Sequence, residues 1–71
     1  MERTPVQSSS VSSVGYDRDS STLEIEFLNG SVYQYFGVPE SIFNGLMNAP
    51  SKGTFFDQFV KKAGYSYARI A

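Results

Sequence analysis

The chain has 71 residues, 41% hydrophobic and 15% aromatic, with six Lys and Arg against seven Asp and Glu for a net charge of −1. A chain this short builds one core and excludes a second folded domain. With no Cys and no His it also excludes disulfides, the common zinc sites, a Cys nucleophile, a Ser-His-Asp triad and an imidazole general base.

Met1 to Gln7 shows neither helical nor strand periodicity and reads as a loose tail, so the folded domain is expected over 10–71, with residues 1–9 flexible. A first, irregular strand is expected over Ser10–Asp17, and the polar run Asp17-Arg18-Asp19-Ser20-Ser21 closes a hairpin. Thr22–Leu28 alternates cleanly: Leu23, Ile25 and Phe27 point one way while Thr22, Glu24 and Glu26 point the other. Asn29-Gly30 is a strong hairpin signal and leads into a strand over Ser31–Phe36.

Two registers are open for that hairpin. A two-residue loop sets Phe27 opposite Val32 and Ile25 opposite Gln34, burying an amide on the apolar face. A three-residue loop over Leu28-Asn29-Gly30, with Gly30 left-handed, sets Ile25 opposite Tyr33 and Leu23 opposite Tyr35 and leaves Gln34 in water. An unsatisfied buried amide costs about 1–3 kcal/mol, which favours the bulged loop and places Tyr33 and Tyr35 on the core face.

Pro39 and Glu40 open a short helix carrying Ile42, Phe43, Leu46 and Met47, which ends before Pro50; Gly45 weakens it by about 1 kcal/mol relative to Ala. Ser51 N-caps a second helix whose Phe55, Phe56, Phe59, Val60 and Ala63 form one apolar stripe, ended by Gly64. Lys61 and Lys62 complement the dipole in its last turn. Tyr65–Ala71 reads as extended and can pair with the sheet or with a neighbouring chain. The fold class is therefore α+β: a small antiparallel three-stranded sheet, with an optional C-terminal strand, packed on two short C-terminal helices.

The candidate sites are weighed against plainer roles. Ser51, Lys52, Gly53 and Thr54 open a helix whose free N–H groups could receive a phosphate, with Lys52 as counter-ion; an ordinary N-cap with a solvated lysine is the favoured reading. Tyr33 and Tyr35 could stack on a base, although core packing is again favoured. Arg69, with Lys61 and Lys62, could gather at one end as a basic cluster, against the commoner solvated surface. Glu24 and Glu26 are expected to be solubilising charges on an exposed face. Under the bulged register Val32 and Phe36 project from the face opposite the helices and mark a partner surface.

The order Phe27-x-x-Gly30, Tyr33-Gln34-Tyr35, Val38-Pro39, Ala49-Pro50-Ser51-Lys52-Gly53 and Phe55-Phe56 resembles the KTSC domain family from Val11 to Ile70, with Gly64-Tyr65-Ser66-Tyr67 where the family has Tyr-Pro after the second helix. The resemblance implies a domain found alone in small bacterial and phage proteins and as an appendage of some lysyl-tRNA synthetases. It implies a fold more strongly than an activity.

Three functions are expected in order. The first is a non-catalytic module that captures a small anionic, nucleotide-like ligand, in a phage setting a sponge for a host nucleotide signal. The second is an RNA-binding domain, disfavoured because a net charge of −1 is the wrong sign for a polyanion partner. The third is a protein-interaction module or inhibitor. No enzyme activity, cofactor or metal is expected. Neither a membrane span nor a signal peptide is expected, which implies a cytoplasmic protein. A core of this size supplies only about 3–5 kcal/mol without staples, so a homo-oligomer is expected.

Overall fold

In the computed structural model, which describes residues 1–71, the cleanly alternating stretch becomes the middle strand of a five-stranded antiparallel meander. The strands β1 (Arg3–Pro5), β2 (Val11–Asp17), β3 (Thr22–Phe27), β4 (Val32–Tyr35) and β5 (Tyr67–Arg69) lie side by side in chain order. The expected three strands form the centre, and one further strand is added at each side. The C-terminal strand joins β4. The N-terminal stretch expected to be loose contributes β1, with Thr4 opposite Val14.

The bulged register holds: Ile25 faces Tyr33 and Leu23 faces Tyr35. Gly30 sits at φ +89° and its N–H donates to the Phe27 carbonyl at 2.9 Å, a backbone conformation that costs glycine nothing. Gln34 lies on the far face as expected, yet it is not left to water. Its side-chain amide donates to Glu24 Oε1 at 2.8 Å.

That far face departs most from the sequence expectation. Arg3, Gly15, Glu24, Gln34 and Ala68 form one row across all five strands. Glu24, expected to be solvated, is only 5% exposed because Arg3 Nη1 meets its Oε2 at 2.7 Å while Gln34 holds the other oxygen. Arg3 and Glu24 are separated by the whole of β2, roughly 9–10 Å at ordinary strand spacing, and Gly15 lets the arginine pass over it. A Cβ there would stand 2.8 Å from the Glu2 carbonyl oxygen and 3.1 Å from Arg3 Cγ. Thus β1 is pinned by a contact between residues 21 positions apart. In the neighbouring row Glu26 accepts from Ser13 Oγ at 2.8 Å.

Val32, expected on an open partner surface, is also only 5% exposed. The C-terminal tail runs beside it, with Ile70 N–H donating to the Val32 carbonyl at 2.8 Å and Val32 N–H to the Ala71 oxygen at 3.1 Å. Phe36 keeps 39% of its surface exposed.

On the other face, α1 (Glu40–Asn48) and α2 (Lys52–Phe56) cover the sheet, and α2 runs on into a π-helical turn over Asp57–Lys61. Pro39 precedes the first turn of α1, and Glu40 within that turn pairs with Arg18 at 2.7 Å. The Phe55 ring lies against Gly45, where any Cβ would approach it to 2.6 Å, so the glycine that weakens α1 is what lets α2 cross it closely. Phe56 and Val60 are the buried line of the second helical segment. Phe59 is 47% exposed rather than core and packs on Phe55 with ring centroids 4.6 Å apart. The buried centre comprises Val11, Val14, Leu23, Ile25, Tyr35, Val38, Leu46, Phe56 and Val60. No helix is long and apolar enough to cross a membrane.

Candidate functional site

Five strands present a wider face than two short helices can cover. At the β2 side a helix residue covers the sheet: Tyr16, half-buried, stacks on Phe43 of α1, ring centroids 5.2 Å apart and 13° from parallel, and its hydroxyl donates to the Val38 carbonyl. At the β4–β5 side Phe56 of α2 packs on Phe27 and Tyr35, and a cleft of about 490 Å³ is left, lined by Phe27, Tyr33, Tyr35, Phe56, Lys61 and Tyr67.

Each lining residue follows from its position in the chain. Phe27 shares the inward parity of Leu23 and Ile25, and Tyr33 and Tyr35 share it on β4. The β5 register places Tyr67 opposite Tyr35 and Arg69 opposite Tyr33, so both lie on the same face. Phe56 closes the floor edge-on, 5.4 Å from Phe27 and 5.4 Å from Tyr35, at 76° and 73°. Such edge-to-face contacts suit the ring quadrupoles. The three tyrosine rings stand as a triangle with centroids 5.5 to 6.4 Å apart. Tyr35 is 6% exposed, whereas Tyr67, on the edge strand, is 63% exposed and forms the outer wall. The π-helical turn ends at Lys61, which brings the one charged lining residue to the rim.

None of the Tyr33, Tyr35 and Tyr67 hydroxyls has a hydrogen-bond partner within the chain, in contrast to Tyr16. Burial, followed by the neighbouring Tyr33 and Tyr67 phenols, raises the pKa of Tyr35 above its ordinary 10.0. Its hydroxyl is therefore neutral at physiological pH and can both donate and accept.

The structure brings Tyr33 and Tyr35 together in this cleft and places Arg69 beside them, with its Nε turned back onto the Ala71 oxygen at 2.9 Å. It does not bring Ser51, Lys52, Gly53 and Thr54 there. Ser51 serves as the N-cap, accepting from Thr54 N–H at 3.3 Å, and its hydroxyl also meets Thr54 Oγ1 at 2.9 Å. The Lys52 ammonium donates to the carbonyls of Met47 at 2.9 Å and Ala49 at 2.6 Å, closing the C-terminal end of α1 where cations complement the dipole. At Gly53 a Cβ would stand 2.7 Å from the Ser10 hydroxyl oxygen, so the glycine lets the start of α2 approach Ser10. The expected counter-ion is thus occupied by backbone.

The sequence does not single out Phe27, Phe56 or Tyr67 as site residues, and it marks Lys61 only as part of a basic cluster with Lys62 and Arg69. Phe27 and Phe56 carry only a core signal. The period-two spacing of Tyr67 and Arg69 in an extended tail was the available sign that both would share a face with the β4 tyrosines, once that tail paired with β4.

A family model described as the KTSC domain matches residues 7–67. A KTSC domain protein from Yersinia pestis, solved by crystallography, superposes with a TM-score of 0.90 at 45% identity, covering 99% of this chain and 97% of that one. A protein from Stutzerimonas stutzeri is 43% identical over 70 residues, 99% of each chain. The lysine–tRNA ligase of Nostoc punctiforme is 47% identical over 55 residues, which are 78% of this chain and 10% of the ligase; the chain spans about a tenth of that relative. The chain belongs to the KTSC domain family.

Proposed function

We propose that this KTSC domain is a non-catalytic binding module whose aromatic cleft captures a small, planar, anionic ligand of the nucleotide type. The observation that carries the reading is the cleft itself: five aromatic rings with one lysine at the rim, open on a face that is otherwise packed. A base stacks on aromatic walls for about 1–3 kcal/mol, and a phosphate or carboxylate on the same ligand reaches Lys61, with Arg69 as a second cation on that face. In this reading Tyr33 and Tyr35 are the stacking pair, and Lys61 rather than Lys52 meets the anion. A phage protein of this design would act as a sponge for a nucleotide signal. We place the protein in the cytoplasm and expect it to self-associate through the far face, where Phe36 and Ile70 remain exposed.

Titration calorimetry with AMP and UMP tests the reading, with Lys61→Ala and Phe56→Leu as variants. Binding weakened by both variants supports it. Equal binding by wild type and Lys61→Ala, or none by wild type, contradicts it.

A second reading, an RNA-binding domain that stacks one unpaired base in the same cleft, is favoured by the similarity to lysine–tRNA ligases. It requires a steep loss of RNA affinity between low and moderate salt, which a ligand held by one or two cations would not show.

A further inference from the structure

The chain contains two kinds of buried or half-buried tyrosine on one sheet face. Tyr16 is finished: its ring is stacked and its hydroxyl is bonded to the Val38 carbonyl. Tyr35 is not. It is more deeply buried than Tyr16, at 6% exposure, and lines the cleft, yet its hydroxyl has no partner in the chain. Its ring is packed away while the hydroxyl oxygen keeps access to solvent, since no buried side-chain oxygen or nitrogen in the chain lacks a partner; closing that access without supplying a partner would be costly. Here the hydroxyl is spared that cost only because it opens into the cleft.

We propose that the Tyr35 hydroxyl is the specificity-determining group of the cleft, and that the site takes heteroaromatic rings bearing a nitrogen or oxygen at the edge rather than plain aromatic rings. The proposal rests on the cleft being the binding site. A plain ring entering it would exclude solvent from Tyr35 and leave the hydroxyl unpaired, whereas a ring nitrogen or exocyclic oxygen would bond it. Sites that present a buried polar group discriminate in this way, since the analogue lacking the matching atom leaves that group unsatisfied. Phe27, Phe56, Tyr33 and Tyr67 offer only faces, edges and more solvent-exposed hydroxyls, so Tyr35 is the one deep polar reader. The neutral phenol serves either polarity of edge atom, which predicts tolerance among bases together with rejection of hydrocarbons.

The test compares UMP with benzyl phosphate, which carries a phosphate but no nitrogen or oxygen in or on its ring, against wild type, Tyr35→Phe and Tyr16→Phe. Wild type and Tyr16→Phe are expected to prefer UMP at least ten-fold. Tyr35→Phe is expected to lose most of that preference while binding benzyl phosphate as well as, or better than, wild type; circular dichroism of each variant confirms that the fold persists. An unchanged preference in Tyr35→Phe overturns the proposal while leaving the cleft in place. A loss of affinity for both probes equally assigns Tyr35 a packing role and also overturns it. Failure of wild type to bind either probe overturns the cleft reading and this inference with it.

Discussion

The two ends of the helix-facing side of the sheet use the same residue types to opposite effect. At the β2 end Tyr16, Phe43 and Val38 close on one another, and the one polar atom present is bonded within the chain. At the β4–β5 end Tyr33, Tyr35, Tyr67, Phe27 and Phe56 surround a space, and three phenols face it. The difference arises from cover rather than composition. Helix α1 contacts β2 and Phe56 of α2 reaches Tyr35, whereas all three residues of β5 are exposed. Aromatic content alone therefore does not separate a closed end from an open one in a domain of this size; hydrogen-bond completion does.

The comparison can be broken most forcefully at Phe56, the shared wall of core and cleft. Phe56→Ala is expected to lose about 3–5 kcal/mol of stability, as for other buried aromatics, read by denaturant unfolding. Loss of less than about 1 kcal/mol would make the cleft floor a loose surface instead.

The far face supplies the next largest effect. Arg3→Ala removes the ion-pair partner of Glu24 and leaves that carboxylate with the Gln34 amide alone, for an expected loss of about 1–3 kcal/mol. Gly15→Ala should produce a similar loss by pushing β1 away, and the two together should lose little more than either alone, because they break one contact. A fully additive double variant would separate β1 from Glu24.

A smaller effect separates the two tyrosine classes directly. Tyr16→Phe removes a bonded hydroxyl and is expected to cost about 0.5–1.5 kcal/mol. Tyr35→Phe removes an unbonded one and is expected to leave stability within about 0.5 kcal/mol. Equal costs would erase the distinction between a finished and an open end.

The smallest effect is one of pH. Because Tyr35 in the folded chain titrates above its ordinary 10.0, the unfolded chain loses that proton first as pH rises. Tyr35 thus contributes nothing to pH dependence below about 9, and stability falls as pH climbs through 10 toward the folded value. Tyr35→Phe should flatten that alkaline fall, whereas Tyr16→Phe is expected to leave the contribution of Tyr35 in place.

What was legible in the sequence is what depends on near neighbours. The β3–β4 register follows from the parity of Gln34 and the need for a left-handed Gly30, and both helices follow from their apolar spacing and from Ser51. The outer strands do not follow, because their causes lie far along the chain. Nothing within Met1–Gln7 signals a strand; β1 exists through Arg3 reaching Glu24 across Gly15. Alternation told on which face Glu24 lies, and could not tell that Arg3 and Gln34 would cover it. Likewise the Lys52 ammonium is turned back to α1 by the bend at Ala49-Pro50, which no helical pattern displays. The cleft joins β3, β4, α2, the π-helical turn and β5, so two of its tyrosines could be picked out while its shape could not.

The central claim, that the open end binds and the finished end does not, is tested most directly by the ring resonances of the tyrosines in a nuclear magnetic resonance titration with UMP. Saturable shifts at Tyr33, Tyr35 and Tyr67, with Tyr16 and the Ser51–Thr54 amides unmoved, are the predicted result. Shifts centred on Ser51–Thr54 with the cleft rings unchanged would contradict the account and return the anion site to the start of α2.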